Sequence, residues 1–218
     1  MEKIDKSNIL ESIDLGGVKA VLMDLDNTFY EYDPCHKHAL ESSYVLINKF
    51  VPWSLEEFKF KYKEAQKIVK TRIPFQAASH SRLLYFQNLL EAEFGMTMPD
   101  MILKLEDAYW RSFMEKIVLK QEFISFTERC HLNGVKICVV SDLTARIQLE
   151  KIRHLSLGKQ IDLLVTSEEA GIEKPEAAIF KIALEKLGVR PEETIMIGDH
   201  HERDKKGAEK IGIKAVLV

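Results

Sequence analysis

The sequence predicts an α/β protein, a parallel sheet with helices on both faces, interrupted after its first strand by an inserted four-helix domain. Three observations lead there. Five short, near-continuous apolar runs read as strands buried on both faces. Helical patterns separate the later runs, as parallel strands require. The stretch from 33 to 116 carries helical patterns and no strand signal.

The strand runs are Val18–Asp24, Val135–Val140, Asp162–Thr166, Thr194–Gly198 and Lys214–Val218. Leu143–Leu155 repeats apolar residues at 143, 147, 149, 152 and 155, a helical spacing. Pro175–Leu187 opens with proline and stops at Gly188, the expected signals for a helix start and stop. Asp204–Ile211 is a shorter, charged helix. Within the insert, Cys35–Phe50, Ser54–Lys70, Ser81–Phe94 and Asp100–Lys116 read as helices, and the breaks hold Pro52, Pro74, Gly95 and Pro99. Four helices joined by short loops make a bundle. Its aromatic residues (Trp53, Phe58, Phe60, Tyr62, Tyr85, Phe86, Tyr109, Trp110 and Phe113) are expected to form its core rather than a ligand cage. The division is therefore 1–32 with 117–218 for the sheet domain and 33–116 for the insert. A chain of 218 residues lies between one domain and two at ~150 residues each, and the insertion accounts for the fraction.

Composition narrows the function. Hydrophobic residues make up 46% and charged residues 30%, which suits a folded globular chain. Lys plus Arg number 31 against 34 Asp plus Glu, a net charge of −3. With no basic field, a nucleic acid polymer or an anionic membrane is not the expected partner. No apolar run exceeds four residues, far short of the ~20 that span a bilayer. The N-terminal segment carries charges throughout and lacks a signal-peptide core. Cys35, Cys130 and Cys138 lie far apart without metal-ligand spacing, so neither a disulfide frame nor a zinc site is expected. The cytoplasm is the expected location.

Ligands of an open parallel sheet bind beyond the carboxyl ends of its strands. The residues there are Asp24-Leu25-Asp26-Asn27-Thr28, Ser141-Asp142, Lys174-Pro175 and Gly198-Asp199-His200-His201-Glu202-Arg203-Asp204. Each alone has a structural reading, since Asp and Ser at strand ends commonly cap the next helix. Together they bring several carboxylates, a hydroxyl and a lysine to one rim. Like charges so gathered call for a cation. Oxygen-only ligands suit Mg2+, and the lysine and hydroxyl suit a phosphoryl group.

The order DxDxT, Ser, Lys-Pro, GDxxxxD resembles the haloacid dehalogenase (HAD) superfamily. The stretches VVSDLTARIQLEKIRHL, TSEEAGIEKPEAAIFKIALEKLG and TIMIGDHHERDKKGAEKIGIKAVLV resemble its phosphatase members. The resemblance implies a three-layer Rossmann-like core with a helical cap in the position of the insert. It implies that Asp24 is a nucleophile forming an aspartyl-phosphate and that Asp26 is a general acid and then a base. Ser141 and Lys174 would bind the phosphoryl oxygens, with Asp142 grouped beside them. Asp24, Asp199 and the backbone carbonyl of Asp26 would ligate Mg2+. Thr28, Gly198 and Asp204 would support the site, Asp204 as an alternative ligand. The implied activity is Mg2+-dependent hydrolysis of small phosphate monoesters, nucleotide or sugar phosphates. The implied partner is a small phosphorylated metabolite. The cap would select it, moving on a flexible link through Phe29–Pro34, with His36, His38, Arg72, His80 and Arg82 as polar candidates.

Several residues depart from the pattern. Arg203 stands where Asn is common and is expected to face solvent. Asp142 stands where an uncharged residue is common and is expected to cap the following helix. His200 and His201 are expected to be exposed loop residues. Asp26 argues against haloalkanoate chemistry, which has no alkoxide to protonate. No cap lysine stands out as a phosphonatase Schiff base. Asn27 in place of Gly ranks a sugar phosphomutase second. A non-enzymatic phosphoacceptor module has no need for Asp26 and Lys174 together, and a dinucleotide oxidoreductase lacks its GxGxxG after the first strand.

Overall fold

The computed structural model describes residues 6–218. Helix α1 (Lys6–Glu11) and strand β1 (Ala20–Met23) come first, then four long helices: α2 (Tyr32–Ile47), α3 (Leu55–Arg72), α4 (Arg82–Phe94) and α5 (Pro99–Glu115). Helix α6 (Gln121–Leu132) leads into β2 (Lys136–Ser141), α7 (Ala145–His154), β3 (Leu163–Thr166), the short α8 (Ser167–Ala170) and α9 (Ala177–Leu187). The chain ends with β4 (Thr194–Gly198), a π-helical turn (His201–Lys206), α10 (Gly207–Glu209) and β5 (Lys214–Leu217). Two compact units result. One joins the residues up to Glu31 with Val118–Val218, and the other is Tyr32–Ile117.

In the first unit the five strands lie in the order β3-β2-β1-β4-β5, all parallel. Ala20 of β1 faces Lys136 on one side and Thr194 on the other, so the first strand sits in the middle of the sheet. Side chains alternate between the two faces. Ala20, Leu22, Cys138, Val140, Val165 and Met196 pack with Ile179, Phe180, Ala183 and Leu187 of α9 in one core. Val21, Met23, Ile137, Val139, Ile195 and Ile197 are also fully or almost fully buried. A central strand buried on both faces explains why its sequence is continuously apolar.

Several element limits differ from expectation. Asp24 lies beyond β1, although its N–H still donates to Ile197 O (2.9 Å). Helix α9 starts two residues after Pro175, because Glu176 is its extended N-cap (φ −68°, ψ 140°). The charged segment after β4 winds as a π turn that puts Asp204 inside it. Helix α6 was not expected, although Phe123, Phe126 and Cys130 recur at helical spacing and are buried. The link after the first strand is anchored at its start. Phe29 and Tyr30 are buried, the Phe29 ring packs tilted against Phe123 with centroids 5.3 Å apart, and Lys120 N donates to Phe29 O (2.9 Å). That corrects the flexible link through Phe29–Pro34, since hydrophobic anchoring holds its first two residues.

The second unit is built on an aromatic core. Phe58, Tyr62, Tyr85, Phe86, Tyr109 and Phe113 are buried together, with ring centroids 5.5–6.3 Å apart along the chain of contacts. Phe60 is the exception at 66% exposed, because the inward stripe of α3 runs through Phe58, Tyr62, Ala65 and Val69. Arg82 is 5% exposed and lies 5.1–5.9 Å from the rings of Tyr32, Tyr85, Tyr109 and Trp110, a cation–π strut within the bundle. Its Nη1 and Nη2 donate to His80 O and the Tyr32 hydroxyl. His36 Nδ1 lies 2.6 Å from the Tyr109 hydroxyl, and burial, Arg82 and Lys70 lower its pKa to about 4. Arg72 donates to Asn88 Oδ1 (3.0 Å), and His38 is exposed.

The turn after β4 is held by close packing at Gly207. A Cβ there would lie 2.9 Å from Phe180 Cε2 and 3.0 Å from Pro175 Cα. Gly207→Ala is expected to cost about 1–3 kcal/mol through overpacking, with a melting temperature lower by several degrees. Thermal unfolding of the two proteins checks this, and an unchanged midpoint contradicts it.

Candidate active site

Four segments at the carboxyl edge of the sheet converge on one ammonium group. Lys174 Nζ donates to Asp24 Oδ1 (2.6 Å), Asp204 Oδ1 (2.7 Å) and the carbonyl of Val140 (3.1 Å). It thereby joins the ends of β1 and β2 to the turn after β4. The lysine is itself held by Asp142, whose Oδ1 accepts from Lys174 N (2.9 Å). Burial works against the charge on Lys174, but Asp204, Asp24 and Asp142 outweigh it and raise its pKa.

Asp204 reaches the cluster because residue 198 is glycine. A Cβ at Gly198 would lie 2.3 Å from Asp204 Oδ2, inside any allowed contact. Asp204 Oδ2 also accepts from His200 N (2.9 Å), which ties the carboxylate across its own turn. Asp24, Asp199 and Asp204 each offer an oxygen, and these oxygens lie within 4.8 Å of one another. Burial raises the Asp24 pKa well above the usual range, with Asp204 and Asp26 adding to the rise and Lys174 opposing it. Burial and then Asp204 likewise raise Asp199. Three carboxylates beside one ammonium leave an excess of negative charge, and an all-oxygen donor set of this kind fits Mg2+.

The second aspartate of the DxDxT stretch stands in a different setting. Asp26 receives Lys151 Nζ on both oxygens (2.6 and 2.9 Å), the Tyr30 hydroxyl on Oδ1 and Gln148 Nε2 on Oδ2 (3.4 Å). Burial would raise its pKa, but Lys151, Tyr30 and Gln148 outweigh that and lower it. Ser141 is buried and accepts from Gln148 Nε2 (2.7 Å). Thr28 Oγ1 donates to Asp24 Oδ2 (3.4 Å).

Thus Asp24, Lys174, Asp199, Asp204 and Gly198 come together, with Thr28 against Asp24. Ser141 and Asp26 are linked to each other through Gln148. Two expectations need correction. Asp142 does not cap α7. Ala145 N is capped by Glu168 Oε2 (2.8 Å), and the Asp142 carboxylate instead clamps the lysine loop. Already spent on Lys174 N, and negative when ionised, that carboxylate is unsuited to hold phosphate. Arg203 is only partly solvent-facing, since its Nη1 lies 3.7 Å from Asp142 Oδ2. His200 and His201 are exposed, and His200 Nδ1 accepts from Arg203 N (3.3 Å).

Gln148, Lys151, Tyr30 and Glu168 were missed by sequence reasoning. For α7 a signal was present. Its buried side carries Ile147, Gln148, Lys151 and Ile152, while Leu149, placed by periodicity on the apolar face, is 55% exposed. A polar pair three apart on the inward face marked the site.

This geometry, with its motif order, belongs to one family of hydrolases. Residues 21–218 match the family model of the haloacid dehalogenase-like hydrolases, and the chain belongs to that family. It is similar to a ribulose-1,5-bisphosphate 5-phosphatase from Halopiger xanaduensis, 40% identical over 202 residues, covering 91% of this chain and 83% of that protein. A glyceraldehyde 3-phosphate phosphatase from Methanothermobacter thermautotrophicus is 30% identical over 205 residues, covering 92% and 85%. Among solved structures, a 2-haloacid dehalogenase from Pseudomonas syringae pv. tomato shares the fold with a TM-score of 0.71 at 22% identity, over 92% of this chain and 86% of that one.

The charge arrangement predicts a pH-dependent defect. The Lys174 pKa is raised in the fold, so its stabilisation is complete below the unfolded value of ~10.4 and is lost only as pH rises beyond it. Lys174→Met is therefore expected to destabilise the metal-free protein at pH 7.5 by about 3–5 kcal/mol, by stranding buried carboxylates. Asp24, with its raised pKa, takes up a proton as pH falls, so the deficit should shrink towards pH 5. Denaturant unfolding in a chelator across that range measures it, and a deficit independent of pH contradicts the assignment.

Proposed function

We propose that this chain is a Mg2+-dependent hydrolase of small phosphate monoesters, foremost sugar phosphates, acting through an aspartyl-phosphate on Asp24. The observation that carries the reading is Lys174 held between Asp24 and Asp204 with Asp199 alongside. It sets a nucleophile, a phosphate-binding cation and a cation-binding carboxylate set at one point.

The chemistry divides into two displacements. In the first, Asp24 attacks phosphorus, the ester P–O bond breaks, and the leaving oxygen takes a proton from Asp26. In the second, water attacks the phosphoryl on Asp24, the bond between phosphorus and the Asp24 oxygen breaks, Asp26 accepts the water proton, and phosphate leaves. Lys174 and Ser141 bind the non-bridging oxygens throughout. The Lys151 ammonium keeps the resting form of Asp26 ionised, which suits the second step; for the first, Asp26 takes a proton from solvent water as the ester binds. Mg2+, held by Asp24, Asp199, Asp204 and the Asp26 carbonyl, would offset the repulsion between Asp24 and the phosphoryl group. We assign 1–32 with 117–218 to catalysis and 33–116 to selection of the organic part of the substrate.

Two observations favour a sugar phosphate. The two relatives from Halopiger xanaduensis and Methanothermobacter thermautotrophicus are by name phosphatases of small sugar phosphates, and the aligned regions cover 91% and 92% of this chain. The resemblance to dehalogenases carries less weight, because Asp26 supplies a proton function that a leaving alkoxide needs. Three free, buried cysteines suit a reducing compartment such as the cytoplasm.

The reading is tested with a panel of sugar and nucleotide phosphates in Mg2+, with released phosphate measured. Asp24→Asn should lower turnover by about 10³-fold or more. Equal turnover in the two proteins would falsify the nucleophile assignment. Added Mg2+ should raise the melting temperature of the wild type, and Asp199→Asn should lose most of that shift, which thermal unfolding reads without any substrate.

A further inference from the structure

Gln148 is fully buried on α7, and its two amide ends are treated differently. The nitrogen faces three oxygens: Ser141 Oγ (2.7 Å), Asp26 Oδ2 (3.4 Å) and the carbonyl of Asp142 (3.4 Å). The Asp142 carbonyl and the ionised Asp26 can only accept, so the group they face must be the NH2. The other end, Oε1, is buried with no hydrogen-bond partner among the described residues.

Such an orphan acceptor is a cost that an apolar side chain of the same size would avoid. Gln148 is flanked by Ile147 and Ile152 on the same buried side of α7. Packing alone gives no reason for an amide there, and of the three oxygens that its nitrogen faces Ser141 Oγ is the nearest by 0.7 Å, so the amide acts chiefly on that hydroxyl. By donating to Oγ it occupies one lone pair of the hydroxyl and turns the Ser141 proton away from α7. A hydroxyl held this way is a donor to whatever anion stands beyond it.

We infer that Gln148 is a positioning residue that fixes Ser141 as a hydrogen-bond donor to the phosphoryl group of the substrate. This rests on the proposed phosphate-ester hydrolysis, in which Ser141 touches the phosphoryl oxygens, and it adds a residue that touches none of them.

The test uses the full-length protein with an aryl phosphate in Mg2+, with inorganic phosphate as competitive inhibitor. Gln148→Met, Ser141→Ala and the double variant are compared with the wild type, each with its melting temperature. Gln148→Met should raise KM and the phosphate inhibition constant about tenfold, with a smaller change in kcat and no loss of melting temperature. The double variant should be no worse than Ser141→Ala, because Gln148 acts through that hydroxyl. An unchanged inhibition constant in Gln148→Met, or losses that multiply in the double variant, would overturn the inference. So would failure of both Gln148→Met and Gln148→Leu to fold, since the amide would then be structural. A wild type that hydrolyses no phosphate ester overturns the proposed function and this inference with it. A hydrolysing wild type with multiplying losses overturns the inference alone.

Discussion

A buried ammonium must be surrounded by compensating groups, and Lys174 gathers them from three other segments of the chain. The carboxylate of Asp24 comes from the end of β1, the carbonyl of Val140 from β2 and the carboxylate of Asp204 from the π turn after β4. Each contact constrains its loop. Gly198 must lack a side chain so that Asp204 can approach, and the turn must fold back for His200 N to meet the same carboxylate. Gly207 must be bare so that the turn can rest against Phe180 and Pro175. The site is therefore a consequence of one charge being placed where water cannot reach it.

Buried ion pairs are poor sources of stability, since desolvation consumes most of their attraction. Among the described residues this unit gathers such pairs around two lysines, Lys174 with Asp24 and Asp204, and Lys151 with Asp26. Their concentration at one edge of the sheet, while the strands themselves are apolar, reflects chemistry rather than stability. The two lysines also separate the two aspartates of the DxDxT stretch. Asp24 is pushed towards protonation by burial and by neighbouring carboxylates, whereas Asp26 is held ionised by Lys151, Tyr30 and Gln148. Carboxylates two residues apart thus acquire opposite tendencies from the groups that the fold packs around them.

The helical unit follows a different principle. Its core is aromatic and its buried cation, Arg82, is surrounded by rings and tyrosine hydroxyls. Rings satisfy a guanidinium through their faces and at the same time supply apolar area, so one arginine can tie several helices together. His36 stays neutral near pH 7 in this setting and serves the Tyr109 hydroxyl. Polar side chains that a sequence offers as ligand contacts, Arg72, Arg82 and His36 among them, are engaged inside the unit.

By itself the sequence determined the five strands, the placement of the helical insert and the motif residues Asp24, Asp26, Ser141, Lys174, Asp199 and Asp204. These are local or strongly patterned features: continuous apolar runs, proline and glycine breaks, and acidic residues at strand ends. It also suggested Asp142 as a helix cap and Arg203 as a solvent-facing residue, readings that consider only neighbours in the chain. The tertiary structure decided otherwise, because Glu168 from α8 caps α7 and Asp142 is drawn to the lysine loop instead. It alone placed Lys151 and Gln148 against Asp26 and Ser141, from up to 125 residues away in the chain. Periodicity records which residues avoid water, but a buried charge takes its partner from whatever segment the fold brings near, and no local pattern encodes that choice.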